Sequence, residues 1–439
     1  MPSDARLAAY LVLRRTFEQG AFTDRAFHRA AVALRGRDRG LAMHLAYGSV
    51  QRALTLDHLI EQCSGRAVAK IDAPLLAALR LGCYELCFAG SAPHAVVNDA
   101  VELAKSSHGH ALVNAVLRRI AREGPALLAA LDDQDPAGAS IAHSMPRWIV
   151  DLWWEALGGD TTRALLARAN EPAENSLRAN TLRGDAAALA TALAAQGITT
   201  AVPGEPPEAV IALGPFDAHG SALWREGRLM PQSRASMIVA HCLGVAGDQR
   251  VLDLCAAPGG KTTHLAALMG GRGEIVAVER HAGRARALHT TALRMGAANV
   301  TVEVADATRP RPAGERFARV LLDAPCSGLG TLQSRPDLRW RASPAALRSL
   351  AEQQARLLSA AAAACGPGAT LVYSTCTISA AENEHQIGAF LDAHPEFSAI
   401  DLQVRHPAWA HPHARAQLLA LGHVQGSDGF FVAALARES

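Results

Sequence analysis

The chain has 439 residues, of which 49% are hydrophobic and 19% charged, with a formal net charge of +2. That length calls for two or three domains, and the composition excludes a disordered chain. No apolar run is long enough to cross a bilayer, the N-terminus lacks a signal-peptide layout, and so small a net charge leaves any polyanion binding to local clusters. A cytoplasmic protein without membrane contact is expected.

Residues 1–135 read as an all-helical domain. Apolar positions recur at helical spacing over 7–17, 41–60, 74–88, 96–104 and 111–120, with breaks at Gly20, Gly36, Gly65, Gly90 and Gly109. Arginines gather at 14–15, 35–39 and 118–122. One such cluster is ordinarily a solvated helix face, whereas three in one small domain point to RNA. Residues 132–138 are polar and turn-rich, a linker. The stretch 140–230 mixes helices (148–157, 185–196) with short strand-like runs and a proline-rich loop at 203–207, giving a small α+β domain.

From 231 to 439 strands and helices alternate. Apolar strands are expected at 250–254, 274–279, 300–304, 320–323 and 370–373, with helices at 262–269, 282–295, 345–364 and 381–393 and a late strand at 430–435. Repeated βα units with apolar strands argue an α/β domain built on a doubly wound parallel sheet.

The sequence DLCAAPGGKT, Asp253 to Thr262, joins the first of these strands to its helix. Gly259 and Gly260 let backbone approach a ligand closely, Pro258 stiffens the turn, and the helix start suits a polar ligand group. The glycine spacing matches neither a dinucleotide fingerprint nor a phosphate loop. Glu279 ends the second strand, where a carboxylate takes both ribose hydroxyls, and Asp306 follows the third, placed to meet an adenine edge. Singly each is an ordinary surface carboxylate. Together with the glycine turn they favour an adenosyl ligand, and S-adenosyl-L-methionine is the economical choice.

Of the eight cysteines, Cys63, Cys83, Cys87, Cys242, Cys255 and Cys365 read as small packing residues. Cys326 in DAPCSG and Cys376 in YSTCT each follow an apolar run that ends at a turn, so both face the ligand end of the sheet. Two thiols and a carboxylate suit carbon methylation of a pyrimidine. A thiolate adds at C6, an acid acts near N3, and a base later removes the C5 proton. Cys376 is assigned as nucleophile, Asp323 to N3 and Cys326 to product release, with Lys261 supplying positive charge or orienting Asp323. Spacing alone does not settle which thiol attacks. No metal is expected: His406, His411 and His413 read as loop residues without supporting zinc spacing.

DLCAAPGGKT, DAPCSGLG and YSTCT resemble the motifs of the RNA cytosine-C5 methyltransferases, the Nol1/Nop2/Sun family. The similarity extends from about 140 to the C-terminus and takes in Arg178 to Arg183, Pro231 to Ser236, Glu382 to Glu384 and Asp428 to Phe431. It implies a Rossmann-like core using S-adenosyl-L-methionine, with Cys376 as the covalent nucleophile and Cys326 as the releasing thiol. The implied cofactor contacts are Cys255, Ala256, Ala257, Pro258, Gly259, Gly260, Lys261, Glu279, Asp306 and Asp323. Residues 1–135, notably Val113 to Arg119, resemble the NusB helical RNA-binding fold. That fusion implies 16S rRNA as partner, naked or in an early small-subunit particle. The same chemistry on tRNA or large-subunit rRNA, or a non-catalytic assembly factor, are the alternatives. Two departures stand out: Glu279 where Asp is common, and Gln333 and Ser334 where two basic residues are usual in a loop expected to touch RNA.

Overall fold

A computed structural model describes residues 2–438 apart from 106, 310 and 313. The chain divides into two compact units, one holding the residues up to Pro172 together with Leu332–Arg341, the other Ala173–Thr331 and the residues from Ala342. No helix among the described residues is long and apolar enough to cross a membrane.

The first unit is helical: α1 (Asp4–Gln19), α2 (Thr23–Ala30), α3 (Gly36–Gln51), α4 (Ala53–Ser64), α5 (Ala73–Cys87), α6 (Pro93–Ala104), α7 (His110–Ala129), α8 (Pro136–Ala142), α9 (Arg147–Leu157) and α10 (Gly159–Arg168). Ser3 caps α1 by accepting from the Arg6 amide, and Gly20 ends it at φ +63°. The single apolar stretch expected at 41–60 is two helices, broken at Arg52, whose guanidinium lies 4.9 Å from the Phe88 ring centre. Where α3 meets α5, Gly48 lies against Tyr84 so closely that a Cβ would come 2.1 Å from the ring. The polar stretch expected as a linker ends as a helix start, because Asp135 accepts from the amides of Ala137 and Gly138 and caps α8.

The second unit contains two sheets. The smaller consists of β1 (Ser176–Ala179), β2 (Thr200–Ala201), β3 (Ala209–Ala212) and β4 (Leu229–Pro231) in the order β2-β3-β1-β4, all pairs antiparallel, with α11 (Ala186–Ala194) and α12 (Ala222–Arg225) in its connections. After α13 (Arg234–Leu243) come β5 (Arg250–Leu254), α14 (Gly260–Leu268), β6 (Glu274–Glu279), α15 (Ala282–Met295), β7 (Val300–Val304) and β8 (Phe317–Asp323). α16 (Leu338–Arg341) belongs to the first unit; α17 (Pro344–Ala364), β9 (Cys365–Thr375), α18 (Glu384–Ala393), β10 (Phe397–Ile400), β11 (Leu418–Ala420), α19 (Gly422–Gln425) and β12 (Phe430–Arg437) complete the second. The large sheet runs β10-β12-β9-β8-β5-β6-β7, with β11 on β12.

Strands β5 to β9 are parallel, but β12 is antiparallel to β9, β10 and β11, so the sheet is mixed rather than wholly parallel. A parallel neighbour needs a helical crossover, and the chain beyond α18 returns by short connections instead. From β5 the chain moves through β6 to β7 at one edge, then resumes at β8 and moves through β9 toward the other. The β5–β8 pair is therefore the switch point, where the carboxyl ends of strands open a crevice.

Leu332–Arg341 supplies the first unit with a buried cation. Arg339 is fully buried and donates to the carbonyls of Gln51, Ser144, Ala169 and Leu332 and to Oδ1 of Asn170, while Trp340 Nε1 donates to the Val50 carbonyl. Burial pushes this guanidinium down to about 9. Its replacement by alanine strands several buried carbonyls at once, and a loss of roughly 3 kcal/mol is expected. Denaturant unfolding of the full chain measures this; a loss below about 1 kcal/mol would mean that water satisfies those carbonyls.

Candidate active site

The glycine turn leaves β5 in a strained path. Cys255 sits at φ +63°, Gly259 at φ +101°, and a Cβ on Gly259 would lie 2.7 Å from Leu288 Cδ1, so only glycine passes beneath α15 here. The turn is clamped from behind by Arg178 of β1. Fully buried, Arg178 donates to the Gly260 carbonyl, to Gln232 Oε1 at 2.7 Å and to Thr263 Oγ1 at 2.9 Å. From the other side Arg284 donates to the Ala257 carbonyl at 2.8 Å. The turn is thus braced from two sides by arginines.

The carboxylates differ in role. Asp253 is buried inside β5, where Thr262 Oγ1 donates to its Oδ2 at 2.6 Å. Burial, partly offset by that bond, pushes its carboxyl up to about 7. A carboxyl that holds its proton more tightly folded than unfolded (near ~3.9) stabilises fully at low pH and loses that contribution as pH rises through its folded value. The loss is of order 4 kcal/mol by pH ~8. Asp253→Asn, neutral throughout, is expected to flatten the fall in unfolding midpoint between about pH 4 and about pH 7. An unchanged fall would assign it to other groups.

Glu279, 3% exposed, ends β6 and accepts from the His281 amide at 2.9 Å, with Arg284 Nε at 3.4 Å from its other oxygen. Asp306 follows β7; the amide and hydroxyl of Thr308 both donate to its Oδ1, which holds its carboxyl below the usual range. A cavity of about 820 Å³ opens at the ends of β5, β6 and β7, lined by Leu254, Val278, Arg280, Val304 and Asp306 among others. Neither Cys326 nor Cys376 lines it.

Beside it, at the ends of β8 and β9, the two thiols meet. Cys326 Sγ and Cys376 Sγ are 3.4 Å apart. The hydrogen bond to Cys376, burial and the neighbouring sulfur's charge push the Cys326 thiol well above the ordinary range. Asp323 ends β8 with Lys261 Nζ 2.8 Å from Oδ2 and Ser374 Oγ donating to Oδ1 at 2.8 Å; its side chain remains 31% exposed. The Lys261 ammonium also lies 4.6 Å from the centre of the Phe430 ring.

Sequence reasoning singled out the thiols but missed their frame. Glu382 is fully buried and accepts from the Ser327 amide at 2.9 Å, from the Ser327 hydroxyl and from Gln354 Nε2 at 3.0 Å, so it fixes the residue after Cys326. Asn383 accepts from Thr375 Oγ1 and donates to the Thr377 carbonyl, bracketing Cys376. Gly330 donates to the Cys376 carbonyl at 3.0 Å, and a Cβ there would come 2.1 Å from the Gly429 carbonyl oxygen. These residues lie in the quoted motifs or near them, but only folding shows what they touch. Of the three histidines set aside as loop residues, His406 pairs with Glu205 at 3.2 Å, His411 pairs with Glu384, and the His413 amide donates to His411 Nδ1.

Three stretches of the chain match known families. Residues 240–436 match the family described as 16S rRNA methyltransferase RsmB/F, residues 3–122 the NusB family, and residues 145–219 the ferredoxin-like domain of RsmF/B-like methyltransferases. The chain is 36% identical to the probable ribosomal RNA small subunit methyltransferase B of Synechocystis, over 98% of this chain and 99% of the relative. It is 36% identical to ribosomal RNA small subunit methyltransferase B of Thermus thermophilus, over 91% and 89%. The crystal structure of PH0851 superposes with a TM-score of 0.85 at 27% identity, covering 100% of this chain and 99% of that one.

Proposed function

Because the chain belongs to the RsmB/F family of methyltransferases, we propose that it methylates C5 of a cytosine in 16S rRNA, using S-adenosyl-L-methionine and a covalent link from Cys376 to C6. The observation that carries this reading is the thiol pair, 3.4 Å apart beside a Lys261–Asp323 ion pair.

The residues present suit the cofactor. A turn that only glycine can thread, a buried carboxylate at the end of β6 and the cavity at the ends of β5 to β7 fit an adenosine and its methionine tail. Bound there, S-adenosyl-L-methionine supplies an electrophilic methyl group. The cytosine has to be unstacked to enter, with arginines of the NusB-like and middle domains holding the RNA backbone.

The order of proton movements follows from the thiols. While Cys326 keeps its proton it donates a hydrogen bond to Cys376 and stabilises the attacking thiolate. Cys376 gives up its thiol proton, which the Asp323 carboxylate relays to N3 as the sulfur adds to C6, and Lys261 and Ser374 hold that carboxylate, which ends as it began. The C4=C5 pair of the enamine so formed would be the nucleophile for the methyl group that bound S-adenosyl-L-methionine supplies. Once Cys376 is bonded to carbon, two of the influences that kept Cys326 protonated are gone. Cys326 then gives its own proton to water and takes the C5 proton as base, the C5=C6 bond re-forms as Cys376 leaves, and N3 returns its proton through Asp323 to the Cys376 sulfur.

The test incubates purified protein with labelled S-adenosyl-L-methionine and either deproteinised 16S rRNA or early small-subunit particles, then maps 5-methylcytosine. A single modified cytosine is expected. Label only on tRNA or large-subunit rRNA would keep the chemistry and change the substrate; silence on every RNA, with cofactor binding intact, would overturn the enzymatic reading.

A further inference from the structure

Away from the thiols, three side chains from three segments converge behind the glycine turn. Glu208 directly precedes β3, His241 lies on α13 and His264 on α14. His241 Nε2 is 3.0 Å from Glu208 Oε1 and 3.1 Å from Oε2, and His264 Nε2 is 2.7 Å from Oε1. One nitrogen or oxygen from each lies within 4.8 Å of the other two. Glu208 and His264 are 3% and 1% exposed, whereas the His241 side chain keeps 22% of its surface in solvent.

His264 is the anomaly. Among the described residues neither of its ring nitrogens has a hydrogen-bond partner, and the approach of Nε2 to Glu208 lacks the alignment that a hydrogen bond needs. Buried imidazoles are normally satisfied at both nitrogens, and one whose Nδ1 has no partner while its Nε2 is pressed against a carboxylate oxygen at 2.7 Å is placed as a ligand is.

We propose that Glu208, His241 and His264 form a site for one divalent transition metal ion, zinc being the best match to two imidazoles and a carboxylate. Such donors stand about 2.0–2.2 Å from zinc, which sets them roughly 3.4 Å from one another in a tetrahedron. The carboxylate–imidazole spacings have to open by less than about 1 Å to reach that, and the two imidazole donors, within 4.8 Å of one another, to close by at most about 1.4 Å. Nitrogen-rich donors select against magnesium and calcium, and the exposed edge of His241 gives the ion a path in and a water as fourth ligand. Arg178 bonds Thr263, the residue next to His264, and its buried charge opposes a second cation. Binding therefore depends steeply on the Glu208 carboxylate. The site is structural: it ties the small sheet to α13 and to α14, the helix that opens with Gly260 and Lys261.

The test uses the full chain, stripped with a chelator, dialysed against zinc chloride and assayed for zinc per chain by mass spectrometry. One zinc per chain is expected in the wild type, with affinity at least tenfold weaker in Glu208→Gln and in His241→Asn, and a zinc-dependent rise in melting temperature that both variants lack. Cobalt(II) added to the wild type alone covers the case in which the variants fail to fold. Visible bands without thiolate charge transfer support the site, while charge transfer from sulfur would place the metal on the cysteines and overturn it. No retained metal, or equal retention by wild type and variants, would leave Glu208 and the histidines as a buried ion-pair network and would also overturn it.

Discussion

Cys376→Ala is expected to lower methyl transfer by roughly four orders of magnitude or more while cofactor binding stays within about twofold of the wild type. The size follows from the chemistry: without addition at C6, cytosine C5 is too poor a nucleophile, and no neighbour replaces the sulfur. The selectivity follows from the structure, since Cys376 does not line the cavity at the ends of β5 to β7 and the glycine turn is clamped by Arg178 and Arg284. Single-turnover transfer to RNA and equilibrium binding of the cofactor, measured on the same preparation, separate the two. Transfer at a tenth of the wild-type rate would assign attack to Cys326 or to no thiol.

Cys326→Ala is expected to fail differently. Addition and methylation proceed, but removal of the C5 proton is lost, so protein and RNA accumulate as a covalent complex that survives denaturation. Multiple turnover should fall by at least about a hundredfold, with a first turnover retained at a reduced rate because the thiol donor to Cys376 is also gone. A denaturing gel with labelled RNA reads the complex directly, and the double substitution of both cysteines should abolish it. A Cys326→Ala protein that turns over normally, or that forms no adduct while transferring methyl groups, would remove Cys326 from product release.

The local pattern of the sequence carried much of this architecture. Strands at 250–254, 274–279 and 300–304 and the helix at 282–295 occur with the expected ends, the strands as short β-rich runs and the helix as apolar positions at helical spacing, each closed by turn residues. The thiols and Asp323 were placed at strand ends by the same signal, and the large sheet has them there. What stayed illegible depends on contacts between distant segments. The Arg178 clamp reaches Gly260 and Thr263, Glu382 reaches back to Ser327, and Glu208 meets His264, all across more than fifty residues. No periodicity reports such pairs. The antiparallel edge was missed for another reason: β10 and β11 are short strands, too brief to show alternation.

The return of Leu332–Arg341 to the helical unit bears on how the protein is made. A ribosome finishes α1 to α10 long before it reaches Arg339, yet the carbonyls of Gln51 and Ser144 gain that guanidinium as donor only once the arginine has emerged. Domains usually complete themselves in order of synthesis. Here the first-made unit waits for a segment translated after β8, so its final packing is reached only once β5 to β8, half the strands of the large mixed sheet, have been made. A gene cut at residue 172 would therefore encode an unfinished helical domain, and an independent one would have to carry residues 332–341 grafted behind α10.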